Sequence, residues 1–351
     1  MTSRQRLLLG GVALITVLAG VARYAGAGAL LAFGAATLAL AGLAWIVSFA
    51  TEQVGERFGP AATGVMQSTL GNLPEFFVVV FALSKGQVVV AQTSIIGSIF
   101  ANALLVLGFV IVVGARQAGD GIMRFKTRLP QDTATLLLVA SFLIVILGLS
   151  LSSGDKASHH VKTISAIGAG FILAVYIAWV IPYVRGEAAV GAGGTAHAAR
   201  LPLAVSGVLL GVGGVGSAFV SDWFITALEP AIKQLHLSQA FAGLVIVAIA
   251  GNAVENVTGI VLAAKGQSDL AISVVKNSVS QVAAFLFPVL VLVSLAFTAT
   301  LTFALAPVYI GALILTAIVI WQITGDGEAA AFEGWALIAI YATLAVLTLY
   351  E

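Results

Sequence analysis

The 351-residue sequence contains no cysteine, so disulfide bonds, thiolate metal sites and thiol catalysis are excluded. Charged residues make up only 9% of the chain, whereas an ordinary soluble domain has about a quarter. The net charge is +1, which gives no overall field that would attract nucleic acid, and no nucleic-acid partner is predicted. Hydrophobic residues account for 60% of the chain, so a soluble fold is excluded.

The most prominent feature of the sequence is a series of long apolar runs. Runs of about 20 residues, enough to cross ~30 Å of hydrocarbon, recur along the chain without the alternation typical of barrel strands. Pro, Gly and charged residues separate these runs from one another. The pattern predicts an all-α, polytopic membrane protein with about eleven transmembrane helices. The predicted spans are 7–23, 27–50, 62–84, 88–114, 133–152, 163–184, 201–222, 240–264, 270–297, 302–323 and 330–350. The second and seventh are expected to run further, because polar residues such as Glu52 and Glu229 follow them closely.

The distribution of basic residues predicts the orientation. With the N-terminus inside, ten of the 16 Lys and Arg residues fall in cytoplasmic segments and five on the other side. We therefore expect a protein of the cytoplasmic membrane with its N-terminus inside, its C-terminus outside and membrane lipid as a partner. Residues 1–22 have an alternative interpretation as a cleaved signal peptide, since Gly20 and Ala22 are small.

One polar motif occurs twice. GNLPE begins at Gly71 and GNAVE at Gly251, and both segments close on Lys-Gly-Gln. Laid over each other without a gap, residues 71–98 and 251–278 are identical at eight of 28 positions, including Asn, Glu, Lys, Gln and Ser. The copies lie in the third and eighth predicted helices, so they enter the membrane from opposite faces. This predicts an inverted repeat with a substrate site near the midplane. The predicted units are a first repeat over 26–184, a cytoplasmic linker over 185–200 and a second, inverted repeat over 201–351.

Each copy of the motif places a carboxylate inside an apolar run. Glu75 and Glu255 lie three residues after Asn72 and Asn252, so each Asn shares a helix face with its Glu. Near the bilayer centre, an ionised carboxylate costs several kcal/mol unless it is protonated, paired or bound to a cation. Two carboxylates that meet between the repeats would repel each other, and a divalent cation would cancel that repulsion. Glu75 and Glu255 are therefore the predicted metal ligands.

Neutral oxygens on the neighbouring helices would complete the site, because Ca²⁺ takes about six to eight oxygen ligands. The candidates beyond Asn72 and Asn252 are Ser98, Asn102, Ser278 and Gln281. Backbone unwinding at Gly71, Gly97 and Gly251 is expected to direct carbonyl groups at the ion. The absence of His and Cys from this set argues against zinc or copper. The alternative is that the polar side chains only join helices and that the two Glu residues are structural.

The same carboxylates predict coupling to protons. Desolvation and a neighbouring like charge both favour the protonated carboxyl group, so protons would compete with the metal for the same oxygens. If access alternates only when the site is loaded or protonated, the result is antiport. The predicted function is export of Ca²⁺ in exchange for H⁺, with inorganic cations and protons as partners and with no cofactor. Neither H-E-x-x-H nor G-x-S-x-G occurs, and no enzymatic activity is predicted.

These motifs resemble those of the calcium/cation antiporter superfamily, and specifically its calcium/proton exchanger branch. GNLPE with GSIFANALLVLG, and GNAVE with NSVSQVAAFLFPVL, look like the two inverted repeat motifs of that branch, and the similarity covers most of the chain. The resemblance implies a peripheral first helix within 1–25, two inverted bundles of five helices, and long mobile second and seventh helices. It also implies that Glu75 and Glu255 are the central acidic ligands, surrounded by the six polar residues named above.

Three positions depart from the pattern of that branch. Leu73-Pro74 is closer to the sodium/calcium branch, Asn277 replaces a usual glycine, and Lys276 stands where an apolar residue is expected. The alternative function is therefore an Na⁺/Ca²⁺ exchanger, or an exchanger of Na⁺ or another cation for H⁺, and a passive cation channel is the alternative from a different class. Lys276 is interpreted either as a side chain that snorkels to the interface or forms an ion pair, or as a tethered cation that tunes the site.

Overall fold

The computed structural model describes residues 3–55, 66, 69–191 and 201–351. The helices are α1 (Ser3–Tyr24), α2 (Ala29–Gly55), α3 (Leu73–Ser84), α4 (Val88–Ala118), α5 (Arg128–Ser153), α6 (Val161–Gly191), α7 (Leu203–Leu235), α8 (Gln239–Gly251), α9 (Ala253–Ala264), α10 (Ser268–Ser294), α11 (Pro307–Thr324) and α12 (Ala331–Leu349). A 3₁₀ turn covers Lys156–His160, and the strands are β1 (Ile122–Arg124) and β2 (Glu328–Ala330). Helices with internally satisfied backbone groups are the form that an apolar chain takes in lipid.

Nine helices in the described ranges are long and apolar enough to cross a membrane, and the bent pair α8 and α9 is a tenth candidate. The predicted class of an all-α, polytopic membrane protein is confirmed. Helix α3 has only 12 residues, and most of the predicted span that precedes it, from 62 to 72, lies outside the described residues. The total of eleven helices and the inverted repeat stay predictions.

The helix ends differ from the predicted spans at several points. Helices α2 and α7 extend to Gly55 and Leu235, as their polar continuations led us to expect. Helix α6 continues to Gly191, so the first part of the predicted linker is helical, while residues 192–200 lie outside the described part of the chain. Helix α11 begins later than predicted, at Pro307, because proline lacks a backbone N–H and suits the first position of a helix.

Helices α4 and α10 form the centre of the molecule. They are the most buried of the candidate spans: 89% and 72% of the residues in their apolar 18-residue stretches are buried inside the protein. Helix α1 is the least buried, at 6%, and it packs against α2 and α7. Helices α2 and α7 pack closely on each other and run antiparallel, since Gly213 contacts Val47 while Gly216 contacts Leu43. The predicted ligands on α4 and α10 are therefore screened from lipid by the surrounding helices.

A two-stranded ribbon connects loops outside the spans. Strand β1 pairs antiparallel with β2, and Arg124 donates to Glu328 (3.1 Å) and Asp120 (2.7 Å). The hydrogen bond from Arg124 holds the pKa of Asp120 below its usual value. The backbone N–H of Lys126 donates to Asp269 at 2.8 Å. The loop after α4 is thereby attached to the first turn of α10, which joins the ends of the two central helices.

Candidate cation site

Both copies of the motif lie at a break between helical segments. Asn72 follows a helical stretch that ends at Gly71 and precedes α3, while Asn252 separates α8 from α9. The backbone leaves ideal helical values at both, with ψ of 4° at Asn72 and 17° at Asn252. Helices α8 and α9 are bent by 57° relative to each other. The unwinding expected at Gly71 and Gly251 is thus found at the asparagine that follows each of them.

The two motifs meet inside the protein. A Cβ atom placed on Gly251 would lie 3.7 Å from the Cβ of Glu75, so the first carboxylate residue packs against the second motif. Glu75 is 1% exposed and Asn72 is buried beside it. Ser221 of α7 donates to the carbonyl of Pro74 at 3.4 Å, next to this carboxylate. Glu255 lies in the first turn of α9, and its side chain is outside the described residues, so its role as a ligand stays a prediction.

A fully buried amide and hydroxyl network joins the second motif to α4. The side-chain N–H₂ of Asn252 donates to the Ser98 hydroxyl at 2.9 Å and to the Ala248 carbonyl at 2.9 Å. The side-chain N–H₂ of Asn102 donates to the Asn252 side-chain oxygen at 3.2 Å and to the Ser98 carbonyl at 2.9 Å. The donors of both amides are therefore directed into the protein. The side-chain oxygen of Asn102 has no hydrogen-bond partner among the described residues.

Two further oxygens are available on α10. The Ser278 hydroxyl and the Gln281 side-chain oxygen are buried and have no hydrogen-bond partner in the described part of the chain. Helix α10 packs against the π-helical segment Ala101–Val106 of α4, which contains Asn102. A buried oxygen without a partner costs about 1–3 kcal/mol, a cost that a bound cation or water removes. These neutral oxygens fit a hard cation such as Ca²⁺.

Three π-helical segments surround these side chains. They cover Ala101–Val106 in α4, Ala242–Val247 in α8 and Val282–Leu286 in α10. Such segments are rare in proteins and are frequent at functional sites. Asn102 lies in the first, and Gln281 directly precedes the third. The extra residue in each turn re-aims the side chains that follow it.

Glycines allow α4 and α8 to cross at backbone contact. A Cβ atom on Gly97 would lie 2.4 Å from the carbonyl oxygen of Leu244, and one on Gly243 would lie 2.0 Å from the Thr93 hydroxyl. The expectation that Gly97 unwinds its helix is wrong, because Gly97 lies within a continuous α-helical segment. Its role is close packing, which sets the distance between Ser98 and Asn252.

Lys276 is fully buried, so its side chain does not snorkel to the interface. Its ammonium group donates to the Thr324 hydroxyl at 3.1 Å, at the C-terminal end of α11. Carbonyl groups at a helix C-terminus favour a positive charge. The Lys276 carbonyl accepts from Ser280 at 3.1 Å and from Thr133 of α5 at 3.4 Å. Lys276 therefore joins α10 to α5 and α11, whereas the other predicted site residues lie on α3, α4, α9 and α10 and at the two asparagine breaks.

The comparison with known proteins assigns the family. A family model described as "Sodium/calcium exchanger protein" matches residues 28–182 and 205–350, which is most of the chain. The chain belongs to this family.

Two relatives of this exchanger-family chain show how far the similarity extends. The "Ca(2+)/H(+) antiporter" of Synechocystis sp. is 29% identical over 346 residues, covering 93% of this chain and 92% of that protein. The "Vacuolar calcium ion transporter" of Schizosaccharomyces pombe is 30% identical over 327 residues, covering 89% and 77%. The solved structure of native YfkE superimposes with a TM-score of 0.82 at 23% identity, covering 98% of this chain and 100% of that one. The fold is therefore shared along almost the whole length.

Several residues around this exchanger site were not found from the sequence. Ser221 contacts Pro74, Gly243 forms the close crossing with Thr93, and Thr324 accepts from Lys276. Ser221 offered one signal, since it is a polar residue on the same face as Ser217 within an apolar run. The partners of Gly243 and Thr324 are distant in sequence, and no local pattern indicates them.

Proposed function

We propose that this member of the sodium/calcium exchanger family is a secondary active antiporter that exports Ca²⁺ in exchange for H⁺ by alternating access. The observation that carries the proposal is the buried Glu75, which packs against Gly251 beside the network of Ser98, Asn102 and Asn252. The names of the two relatives, a Ca(2+)/H(+) antiporter and a vacuolar calcium ion transporter, support the choice of ion.

The chemistry of this site requires competition between two kinds of cation. Glu75 and Glu255 supply the negative charge, and the neutral oxygens of Asn102, Ser278 and Gln281 supply further ligands for Ca²⁺. When Ca²⁺ leaves, the burial of Glu75 and the repulsion between two bare carboxylates favour uptake of a proton by each. Two protons would then replace the charge of one Ca²⁺ ion. Neither ion needs a cofactor to move.

Matching element bounds support an inverted repeat. Helix α3 covers Leu73–Ser84 and helix α9 covers Ala253–Ala264, which is the same stretch displaced by 180 positions. The following turns also match, with φ of 73° at Gly86 and 71° at Gly266. The family model matches in two blocks that fall within 26–184 and 201–351 and leave out α1. We assign these blocks as the two inverted repeats, with the N-terminus in the cytoplasm and the C-terminus outside.

The function is tested by flux measurements in proteoliposomes. Vesicles with an acidic interior should take up ⁴⁵Ca²⁺ as protons leave, and a Na⁺ gradient without a pH gradient should give no uptake. Glu75→Gln and Glu255→Gln should each reduce proton-driven uptake to the background of empty vesicles, because the neutral amide can neither ionise nor take up a proton. Glu229→Gln is the matched control, since Glu229 is exposed and pairs with Lys233 at the end of α7.

A sodium-coupled exchanger is the second candidate. It is favoured by Leu73-Pro74, with Pro74 in the first turn of α3 directly before Glu75. Uptake driven by Na⁺ alone would replace the proposed function with this one. Uptake that dissipates either gradient without coupling would indicate a passive cation channel, and wild-type exchange by Glu75→Gln would contradict the shared carboxylate site.

A further inference from the structure

Lys85 attaches the end of α3 to one turn of α7. Its ammonium group donates to the Asp222 carboxylate at 2.5 Å and to the Asp222 backbone carbonyl at 3.1 Å, and it also donates to the Thr226 hydroxyl. The Thr226 hydroxyl donates in turn to the Asp222 carbonyl at 2.8 Å. An ammonium group has three donors, so all the donors of Lys85 are engaged by a single turn of α7.

The contact of Lys85 lies at one end of the interface between α3 and α7. At the start of α3, Gly214 of α7 faces the side chain of Leu73. Twelve residues further along both helices, Thr226 meets Lys85, so the two helices run parallel and stay together over the whole length of α3. Lys85 therefore closes the end of this interface that is remote from Glu75.

Helix α7 is held by few neighbours. Only 22% of the residues in its apolar 18-residue stretch are buried, against 89% for α4. It packs mainly on α1, α2 and α3, and α1 and α2 also pack on each other. Of these helices, only α3 carries a motif carboxylate. A site between the two motifs can alternate between the membrane faces only if a peripheral group such as α1, α2 and α7 moves relative to the motif helices.

The second copy of the motif has no equivalent contact among the residues described. Lys265 follows α9 as Lys85 follows α3, but it forms no ion pair in the described ranges. Displaced by 180 positions, the turn of α7 that holds Lys85 corresponds to residues 42–46 of α2, which read GLAWI and include no carboxylate. Helix α9 also packs less extensively on α2 than α3 does on α7. The ion pair is thus present on one side of the repeat only.

We propose that Lys85 and Asp222 form a latch that holds α7 against α3 and favours the state in which the site is closed to the membrane face where α3 ends. This inference rests on the alternating access of the proposed function. With the orientation proposed above, that face is the external one, so the latch favours the state that receives Ca²⁺ from the cytoplasm. The side chains are 30% and 38% exposed, so the latch changes the ratio of the two states by at most about fivefold.

Distances between two spin labels report this ratio directly. Because the natural chain has no cysteine, Leu151→Cys on α5 and Leu235→Cys on α7 give two unique and exposed labelling positions. Pulsed electron double resonance in liposomes without Ca²⁺ then measures how often α7 leaves its main position. Lys85→Met should increase the minor population about twofold to fivefold. Lys265→Met should leave it unchanged, and Lys85→Arg should keep the wild-type distribution because it retains the ion pair.

Salt provides an independent check of the same latch. A partly exposed ion pair is screened at high ionic strength, so molar choline chloride should reproduce the effect of Lys85→Met in the wild-type chain. Equal distance distributions in the wild type and in Lys85→Met would overturn the proposal. An equal shift in Lys265→Met would also overturn it, because that lysine lacks the ion pair.

A reversible cross-link tests whether α7 must leave α3 during exchange. Lys85→Cys with Asp222→Cys is joined by a short bismethanethiosulfonate linker, and Glu229→Cys with Lys233→Cys, one turn apart on α7, is the matched control pair. Cross-linking the first pair should reduce proton-driven ⁴⁵Ca²⁺ uptake to background, and a reductant should restore it. The control pair should transport equally with and without the linker. Unchanged uptake by the first pair when it is cross-linked would contradict the latch.

Failure of the proposed function would be recognised separately. The spin-label distances do not depend on flux, whereas the proteoliposome assay of the wild-type chain measures coupled Ca²⁺ transport. A population shift in Lys85→Met, in a chain that shows no coupled Ca²⁺ uptake, would retain the latch and reject Ca²⁺/H⁺ exchange.

Discussion

Replacing Gly97 with Ala tests whether backbone contact between α4 and α8 sets the geometry of the site. The new Cβ atom would lie 2.4 Å from the Leu244 carbonyl oxygen and 2.5 Å from the Leu244 Cα atom. Ordinary contacts begin near 3.4 Å, so the helices must separate by about 1 Å. Both neighbours are backbone atoms, and no side-chain rotation can relieve the clash.

The expected cost follows from overpacking. Extra carbon atoms in a packed interior cost about 1–3 kcal/mol, and the better helix propensity of Ala returns at most about 1 kcal/mol. Gly211→Ala is the matched control, because nothing lies within 4 Å of a Cβ atom at that position of α7. We expect Gly97→Ala to lower the melting temperature in detergent and Gly211→Ala to keep or raise it.

Transport should also separate the two variants. Displacing α4 from α8 lengthens the hydrogen bond between Ser98 and Asn252, which holds the predicted ligands together. Proton-driven Ca²⁺ uptake should therefore fall in Gly97→Ala and stay at the wild-type level in Gly211→Ala. A Gly97→Ala protein that melts and transports like the wild type would refute the packing role, as would equal damage from both variants.

Three further predictions concern contacts around the site. Asn252→Ala should destabilise the protein by about 1–3 kcal/mol and abolish exchange, because it removes the shared partner of two buried polar side chains; denaturation and flux measurements check both effects. Lys276→Met should be neutral or stabilising, whereas Thr324→Val should lower the melting temperature by leaving a buried ammonium group without its hydroxyl partner; the opposite order would contradict this. Lys85→Met should lower the free energy of unfolding by about 1 kcal/mol or less, and mainly at low salt, since the ion pair of Lys85 with Asp222 of α7 is partly exposed. Lys265→Met should leave the free energy of unfolding unchanged, because Lys265 has no ion pair in the described ranges. Measuring the stability of both variants over a series of NaCl concentrations distinguishes them.

Local patterns predicted the fold class and named most of the candidate residues of the site. Apolar runs predict membrane helices because their length must match the bilayer, and the extensions of α2 and α7 followed from their polar ends. The matched Asn-x-x-Glu segments directed attention to Glu75 and to the asparagine network, because polar residues in lipid are costly and seldom occur without a role. The ion, its coupling and the role of Glu255 stay predictions that flux measurements will decide.

Other features depend on contacts between distant segments, and only the tertiary structure decided them. Gly97 looks like any other helical glycine until the Leu244 backbone is placed beside it, 147 positions further along the chain. Lys276 would reach the interface if it faced lipid, but α11 brings Thr324 to it and keeps it buried. The sequence by itself determined which segments enter the membrane and which polar groups go with them, because that choice depends on each segment's own hydration. Which of these groups meet depends on how the helices cross, and crossing is set by shape complementarity along the whole length of two helices.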